Sequence, residues 1–250
     1  MSIYEDNKKE FLGCVKKLSG SYSSYQVFSD FCELAAISLY QVFAQREELE
    51  NKYLSIVSKY KREEALVFSE MLAYVVNALS SSFGDFLGEC YMSLEISNKH
   101  QGQFFTPYSI SLLMSSLLGS SSNTDKNGKE SFSEPAVGSG GIVIARAEVL
   151  MKDGVNYQEV MEVQAVDTDK MCFHMCYIHL TLLHISAEVI WGNSLSLERY
   201  ETWYTPANIM NGGYRGGFVR SGVSEVAEDK EIFLNKVPAS QGSFIQGTLF

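Results

Sequence analysis

Uninterrupted apolar runs in this 250-residue sequence are too short to span a membrane. The charged residues close to its start, among them Glu5, Lys8 and Glu10, do not form a signal peptide. Its five cysteines lack the spacing of a disulfide framework, which predicts reduced thiols. Together these absences predict a cytoplasmic protein that has no membrane partner.

Positive charge is also scarce, because 20 lysines and arginines face 30 aspartates and glutamates, for a net charge of −10. A protein that binds DNA by itself normally neutralises the phosphates with a basic face. The average charge therefore argues against autonomous DNA binding, although an acidic chain can carry a local basic patch. The length and a hydrophobic content of 46% suit one sizeable globular domain or two small ones.

Proline is absent from the first hundred residues, which removes one common interruption of helices. Apolar residues recur at helical spacing over residues 25–48 and 64–79, and residues 85–96 form a third predicted helix. We predict a helical N-terminal domain over residues 1–97, an α/β domain over residues 98–210 and a flexible C-terminal tail over residues 211–250.

The most informative stretch is Glu134-Pro135-Ala136-Val137-Gly138-Ser139-Gly140-Gly141, which contains three glycines. A backbone that passes close to a bulky ligand needs glycine where a Cβ would collide or forbid a positive φ. The apolar residues 142–147 predict a following helix, whose free N–H groups suit a carboxylate or a phosphate. Taken alone, the stretch is equally consistent with a plain structural turn.

Two strands predicted downstream end in polar residues. Residues 163–167 end in Asp167, where a carboxylate can bind ribose hydroxyls, and residues 189–193 end in Asn193, where an amide can read a base. Upstream, Thr106 and Pro107 predict a helix start, as N-cap and first helical residue. The alternation of strands and helices predicts a parallel, doubly wound sheet with a nucleoside-binding crevice.

These motifs occur in the order typical of a known family. Phe104-Phe105-Thr106-Pro107, the glycine stretch 134–141, Asp167 and Gly192-Asn193 resemble the motifs of adenine-N6 DNA methyltransferases. The resemblance is to the modification subunit of type I restriction systems, extends over residues 85–193, and includes the approach from Asp85-Phe86-Leu87-Gly88 to Gln103. It implies an α/β fold in which the N-terminal helices precede a truncated Rossmann-like sheet that uses S-adenosylmethionine. It also implies DNA as a partner, with the helices holding DNA or another subunit.

The resemblance assigns roles to single residues. Asp167 would bind the ribose hydroxyls, and Asn193, where the family usually has an acid, would lie near adenine N6. Glu134 stands where aspartate is more common. A helix start with a buried aromatic remains the alternative for the Phe-Thr-Pro segment. The methionine end would be contacted by Phe105, Thr106 and Pro107 and wrapped by the turn with Gly138, Ser139 and Gly140. Gln103, Phe104 and Glu134 are further cofactor-binding candidates.

The target-base motif departs from the family. Adenine-N6 methylation needs a hydrogen-bond acceptor for the exocyclic amine and an aromatic ring that stacks on the extruded base. The family supplies these with Asn or Asp, two prolines and an aromatic residue. Residues 201–208 stand in that place here, and neither alignment of Pro206 restores the motif. Tyr204, Thr205 and Pro206 are the degenerate candidates for target contacts.

Two functions therefore stay open on the sequence. The first is an S-adenosylmethionine-binding member of the adenine-N6 DNA methyltransferase family with a degenerate target-base loop. The second is a non-catalytic binding or regulatory module of phage or plasmid type that engages a partner protein. A dinucleotide-binding oxidoreductase fits poorly, because the Phe-Thr-Pro segment has no role there.

Three smaller features complete the predictions. Cys172, Cys176 and His179 lie at helical spacing, but no fourth ligand is evident, so a buried helix is favoured over a metal site.

A truncated sheet leaves an edge beside its first strand, to be covered by the tail, another protomer or a partner. The C-terminal residues Gln246, Leu249 and Phe250 are similar to peptides that dock into the bacterial sliding clamp, with a chance pentamer or a self-packed tail as the alternatives.

Overall fold

The N-terminal part is helical, as the sequence predicts. The computed structural model describes residues 2–94, 105–119 and 124–212. Aromatic side chains form the core of this helical part. The Phe11 ring makes T-shaped contacts with the rings of Phe28, Phe31 and Phe86, at centroid distances of 5.0–6.1 Å. Its helices are α1 (Ile3–Leu18), α2 (Ser24–Ala44), α3 (Glu47–Val57), α4 (Arg62–Ser81) and α5 (Phe86–Ser93).

Strands and helices then alternate to form a four-stranded sheet. Its order is β1-β2-β3-β4, in which β1, β2 and β3 are parallel and β4 runs antiparallel to β3. The predicted α/β fold, helices followed by a truncated Rossmann-like sheet, is therefore confirmed. The elements are α6 (Tyr108–Leu117), β1 (Glu130–Glu134), α7 (Gly141–Lys152), α8 (Tyr157–Val160), β2 (Met161–Asp167), α9 (Lys170–Leu182), β3 (Ala187–Asn193), β4 (Glu198–Tyr204) and α10 (Pro206–Met210).

The helical part packs directly on the sheet. Helix α2 lies along α9, and the ring of Tyr40 stacks on that of Trp203 in β4 with centroids 4.3 Å apart and planes 5° apart. The described residues group as one compact unit. Residue 97 lies outside the described residues, and the predicted division into two domains there stays a prediction. The tail motif at Gln246, Leu249 and Phe250 lies outside the described residues.

Helix α2 is long and apolar. In the part of the chain that the structure describes, it is the one helix long and apolar enough to cross a membrane. Most of it is nevertheless buried inside the protein, including Phe28, Phe31 and Ile37. These buried apolar residues are part of the core of the helical region.

A buried ion pair holds the start of the sheet. The Arg146 guanidinium on α7 binds both carboxylate oxygens of Glu130 on β1, at 2.6 and 2.7 Å, and both side chains are almost fully buried. The same guanidinium donates to the Gly119 carbonyl at 2.7 Å. Helices α6 and α7 and strand β1 are thereby fixed to one another, which also fixes the turn that follows β1.

Candidate functional site

A cavity of about 310 Å³ lies where β1 and β2 end, at the carboxyl edge of the sheet. Four parts of the chain meet there: the start of α5, the start of α6, the turn between β1 and α7, and the last residue of β2. In open α/β sheets this edge is where ligands bind. The lining residues are Asp85, Phe105, Thr106, Ser111, Met114, Glu134, Ala136, Val137, Gly138, Ser139, Gly141, Ile142 and Asp167.

The turn after β1 has the conformation that its glycines predict. Gly138 and Gly140 have φ values of +57° and +100°, a region that residues with a Cβ rarely adopt. A Cβ on Gly138 would also lie 3.1 Å from the ring of Phe105. Glycine is therefore needed at this position both for the backbone and for the approach of the Phe105 ring.

Asp167 joins the end of β2 to this turn. Its carboxylate accepts hydrogen bonds from the backbone N–H groups of Gly138 and Asp169, both at 2.8 Å. Burial raises the pKa of Asp167, while these backbone donors act in the opposite direction. The structure thus brings the glycine turn and the acid of the second strand together at one site.

The Phe-Thr-Pro segment reaches the same cavity. Phe105 and Thr106 line it, and the Phe105 ring meets Tyr91 edge-on with centroids 5.2 Å apart. The predicted cap is wrong, because Pro107 is the N-cap of α6 and the helix begins at Tyr108. The Thr106 side chain does not cap the helix and lines the cavity. Gln103 and Phe104 lie outside the described residues.

The other residues predicted around the glycine turn differ in position. Glu134 lines the cavity, and one of its carboxylate oxygens accepts from the Ala136 N–H at 3.1 Å. Ser139 is buried and donates its hydroxyl to Asp85 at 2.6 Å. Gly140 is the N-cap of α7 and packs against Cys176 instead of lining the cavity.

Asn193 lies at the same edge of the sheet but outside the cavity lining. Its side-chain oxygen accepts from the backbone N–H groups of Leu195 and Ser196, at 2.9 and 3.3 Å, and so shapes the connection between β3 and β4. Gly192 beside it allows β4 to approach, because a Cβ there would collide with the Glu198 carbonyl oxygen. Gly192 and Asn193 thus have a structural use that differs from the predicted cofactor role.

The predicted target-base residues lie at the opposite edge. The Thr205 hydroxyl donates to the Ile185 carbonyl at 2.7 Å and accepts from the Ala187 N–H at 2.9 Å, and the residue is fully buried. Ala187 is the first residue of β3, which ends at Asn193. Thr205 therefore lies about 20 Å along the strand from the carboxyl end of β3. Tyr204, Thr205 and Pro206 therefore do not fit the predicted target-base role, because β4 reverses the chain and carries them away from the cavity.

Asp85 is the charged lining residue that the sequence reasoning did not place in the site. It caps α5 by accepting from the Gly88 N–H at 3.0 Å, and it packs on Gly141, the first residue of α7. The spacing of Asp85 and Gly88 is a recognisable capping signal. Nothing local to that signal shows that the carboxylate also faces the glycine turn.

The nearby Cys172, Cys176 and His179 are buried on α9. Both ring nitrogens of His179 are used, one by the Leu87 N–H at 3.1 Å and the other by the Ser139 carbonyl at 2.8 Å. Among the described residues no group of three or more histidine, cysteine or acidic side chains is arranged to hold a metal ion.

The family model for N-6 DNA methylases matches residues 83–214, which include the whole cavity lining and every strand of the described sheet. The chain belongs to the N-6 DNA methylase family. The match spans 132 of 250 residues, counted from 83 to 214, and confirms the family that the motifs resemble.

Two solved structures are similar to this family member at low sequence identity. One, from Listeria monocytogenes, is described as a class I S-adenosylmethionine-dependent methyltransferase; the identity is 15%, the TM-score 0.38, and the match covers 75% of this chain and 69% of that one. The other is the methyltransferase subunit of a type I restriction-modification system from Streptococcus thermophilus, with 14% identity, a TM-score of 0.36, and coverage of 74% and 57%. The chain thus spans little more than half of the type I subunit. No curated protein matches it significantly in sequence.

Proposed function

We propose that this N-6 DNA methylase family member binds S-adenosylmethionine in the cavity at the carboxyl edge of the sheet. The observation that carries the proposal is the convergence of the glycine turn with Asp167, joined by the 2.8 Å hydrogen bond from the Gly138 N–H. In this arrangement Asp167 would bind the ribose hydroxyls. Phe105, Thr106 and Glu134 would surround the methionine end.

The charge of the lining favours this ligand over a dinucleotide. A dinucleotide places its pyrophosphate at the N-terminus of the helix after the glycine turn. Here Asp85 already packs on the first residue of α7, and Glu134 and Asp167 line the same cavity. A phosphate would meet three carboxylates, whereas the sulfonium and ammonium groups of S-adenosylmethionine outnumber its single carboxylate and leave a net positive charge.

For methyl transfer, the family chemistry is in-line attack of the adenine amine on the sulfonium methyl, driven by positioning. In the described part of the chain, Tyr204, Thr205 and Pro206 are directed away from the cofactor cavity. We infer that the described residues hold the cofactor and that the target adenine, where one is bound, is held by residues elsewhere. The second candidate, a non-catalytic binding or regulatory module, is favoured by the structural use of Thr205.

The open edge of β1 and the negative net charge both favour a protein that acts with a partner. Strand β1 pairs only with β2 among the described residues, so its other edge is open to a strand from outside them. With a net charge of −10, DNA binding would depend on a partner that supplies positive charge. The type I relative is itself named as a subunit, and we propose a similar dependence here. Sliding-clamp binding through Gln246, Leu249 and Phe250 stays a prediction.

Calorimetric titration with S-adenosylmethionine tests the proposal, followed by an assay of labelled methyl transfer to unmodified DNA. We expect one binding site per chain, and no transfer by the isolated protein. Transfer to adenine would select the enzyme over the module, and absence of binding would contradict both. Asp153→Asn, an exposed acid at the far end of α7, is the matched control for substitutions in the cavity.

A further inference from the structure

Asp85 belongs to the helical part of the chain, yet its carboxylate lies in the cofactor cavity. The residue is 3% exposed, and its two oxygens accept from the Gly88 N–H at 3.0 Å and the Ser139 hydroxyl at 2.6 Å. Both donors are neutral. A buried carboxylate is stable only when hydrogen-bonded or paired with a cation, so the identity of its remaining partners matters.

The nearest imidazole does not supply that positive charge. His179 Nδ1 lies 3.9 Å from an Asp85 oxygen. Its Nε2 accepts from the Leu87 N–H, so Nδ1 carries the proton and donates it to the Ser139 carbonyl. This is the neutral form of the ring, and burial lowers the pKa of His179 despite the opposing effect of Asp85.

Two further carboxylates, those of Glu134 and Asp167, lie beside the same glycine turn. The Cys176 thiol behind the glycine turn has a raised pKa, first because of burial and then because Asp167, Asp85 and Glu134 all lie near it. All three acids line the cavity, and no lysine or arginine is among the described lining residues. The described lining thus presents three acidic groups and no basic side chain to a ligand, which favours a cation.

We propose that Asp85 is a cofactor-binding residue that makes the cavity selective for ligand charge. This inference rests on the proposed cofactor site. Together with Glu134 and Asp167 it favours the sulfonium of S-adenosylmethionine over the uncharged thioether of S-adenosylhomocysteine. The two ligands share the ribose, the adenine and the amino-acid group, and differ by the methyl group and one positive charge. The helical region thus contributes directly to ligand choice, and product release after any methyl transfer becomes easier.

Binding of both ligands to the wild type and to Asp85→Asn tests the proposal. We expect the substitution to weaken S-adenosylmethionine by about tenfold and S-adenosylhomocysteine by less than about threefold, since one charge is removed at short range in a partly solvated site. Sinefungin, which carries a protonated amine in place of the sulfonium, should follow S-adenosylmethionine. Ser139→Ala removes the hydroxyl and no charge, so it should leave the ratio of the two affinities unchanged.

The outcomes separate this inference from the proposed function. Equal weakening of both ligands would show that Asp85 only shapes the glycine turn, and no weakening would remove it from the site; each overturns the inference while cofactor binding stands. Absence of binding by the wild type overturns the proposed function itself. Should Asp85→Asn melt far below the wild type, Glu134→Gln removes a second cavity charge and is expected to lower the same affinity ratio; an unchanged ratio would overturn the charge selectivity.

Discussion

The two edges of the sheet use their polar groups in different ways. At the amino edge, the Thr205 hydroxyl binds backbone groups at the start of β3, and Glu130 is paired with Arg146. At the carboxyl edge, Asp85, Glu134 and Asp167 receive only neutral donors within hydrogen-bonding distance in the described structure. Polar groups that are hydrogen-bonded or ion-paired within the protein stabilise the fold. Carboxylates that line a cavity can accept further hydrogen bonds from a ligand.

The largest effect on stability should come from the amino edge. Replacing Arg146 with alanine leaves Glu130 buried without its partner, and the free energy of unfolding should fall by about 3–5 kcal/mol. Urea denaturation measures this change. The double variant Arg146→Met and Glu130→Met should be markedly more stable than Arg146→Ala. If both variants are equally destabilised, the cost does not come from the unpaired carboxylate.

At the carboxyl edge, Asp167→Asn should mainly affect binding. The amide oxygen can still accept one backbone hydrogen bond, but the charged acceptor for the ribose hydroxyls is lost. S-adenosylmethionine affinity should fall by about 10- to 100-fold, the usual effect of losing hydrogen bonds to a charged group. Calorimetry measures the affinity, and Asp153→Asn should leave it unchanged. A large loss of stability without a loss of affinity would reverse the assigned roles of the two edges.

Thr205→Val tests the reassignment of the predicted target-base residue. The Ala187 N–H and the Ile185 carbonyl lose their partner, so the free energy of unfolding should fall by about 1–3 kcal/mol. S-adenosylmethionine affinity should not change. Thr205→Ser keeps the hydroxyl and should lie close to the wild type. Weakened cofactor binding by a stably folded Thr205→Val would contradict the separation of the two edges.

The smallest effect concerns pH. Burial raises the pKa of Asp167 above the usual 3.8, so its ionised form opposes folding, and that penalty is relieved as pH falls through the folded-state pKa. Ligand binding to the carboxylate follows the opposite trend, and S-adenosylmethionine affinity should fall over the same acidic range. Titrations at several pH values measure it. Asp167→Asn should flatten this part of the profile, and an identical profile in that variant would assign the titration to another group.

The sequence predicts the cavity at the carboxyl edge better than it predicts the position of Tyr204, Thr205 and Pro206. Glycine positions, the acid ending β2 and the helical spacing of the first hundred residues are local signals, and each leads to the observed structure. The reversal at β4 is not local, because it depends on pairing between β3 and a strand whose first residues, Glu198, Arg199 and Tyr200, are all exposed. Gly192 was the available signal, since glycine within a strand often marks a close backbone approach. The hydrogen bond between Ser139 and Asp85 joins residues 54 positions apart, so no local sequence pattern predicts it.

A crystal structure of the protein soaked with S-adenosylmethionine tests the central claim most directly. The account predicts the ribose hydroxyls on Asp167 and the amino-acid end between Phe105 and Glu134, with the sulfonium facing the acidic lining. Ligand density at the amino edge near Thr205, or an empty cavity at saturating ligand, would contradict it.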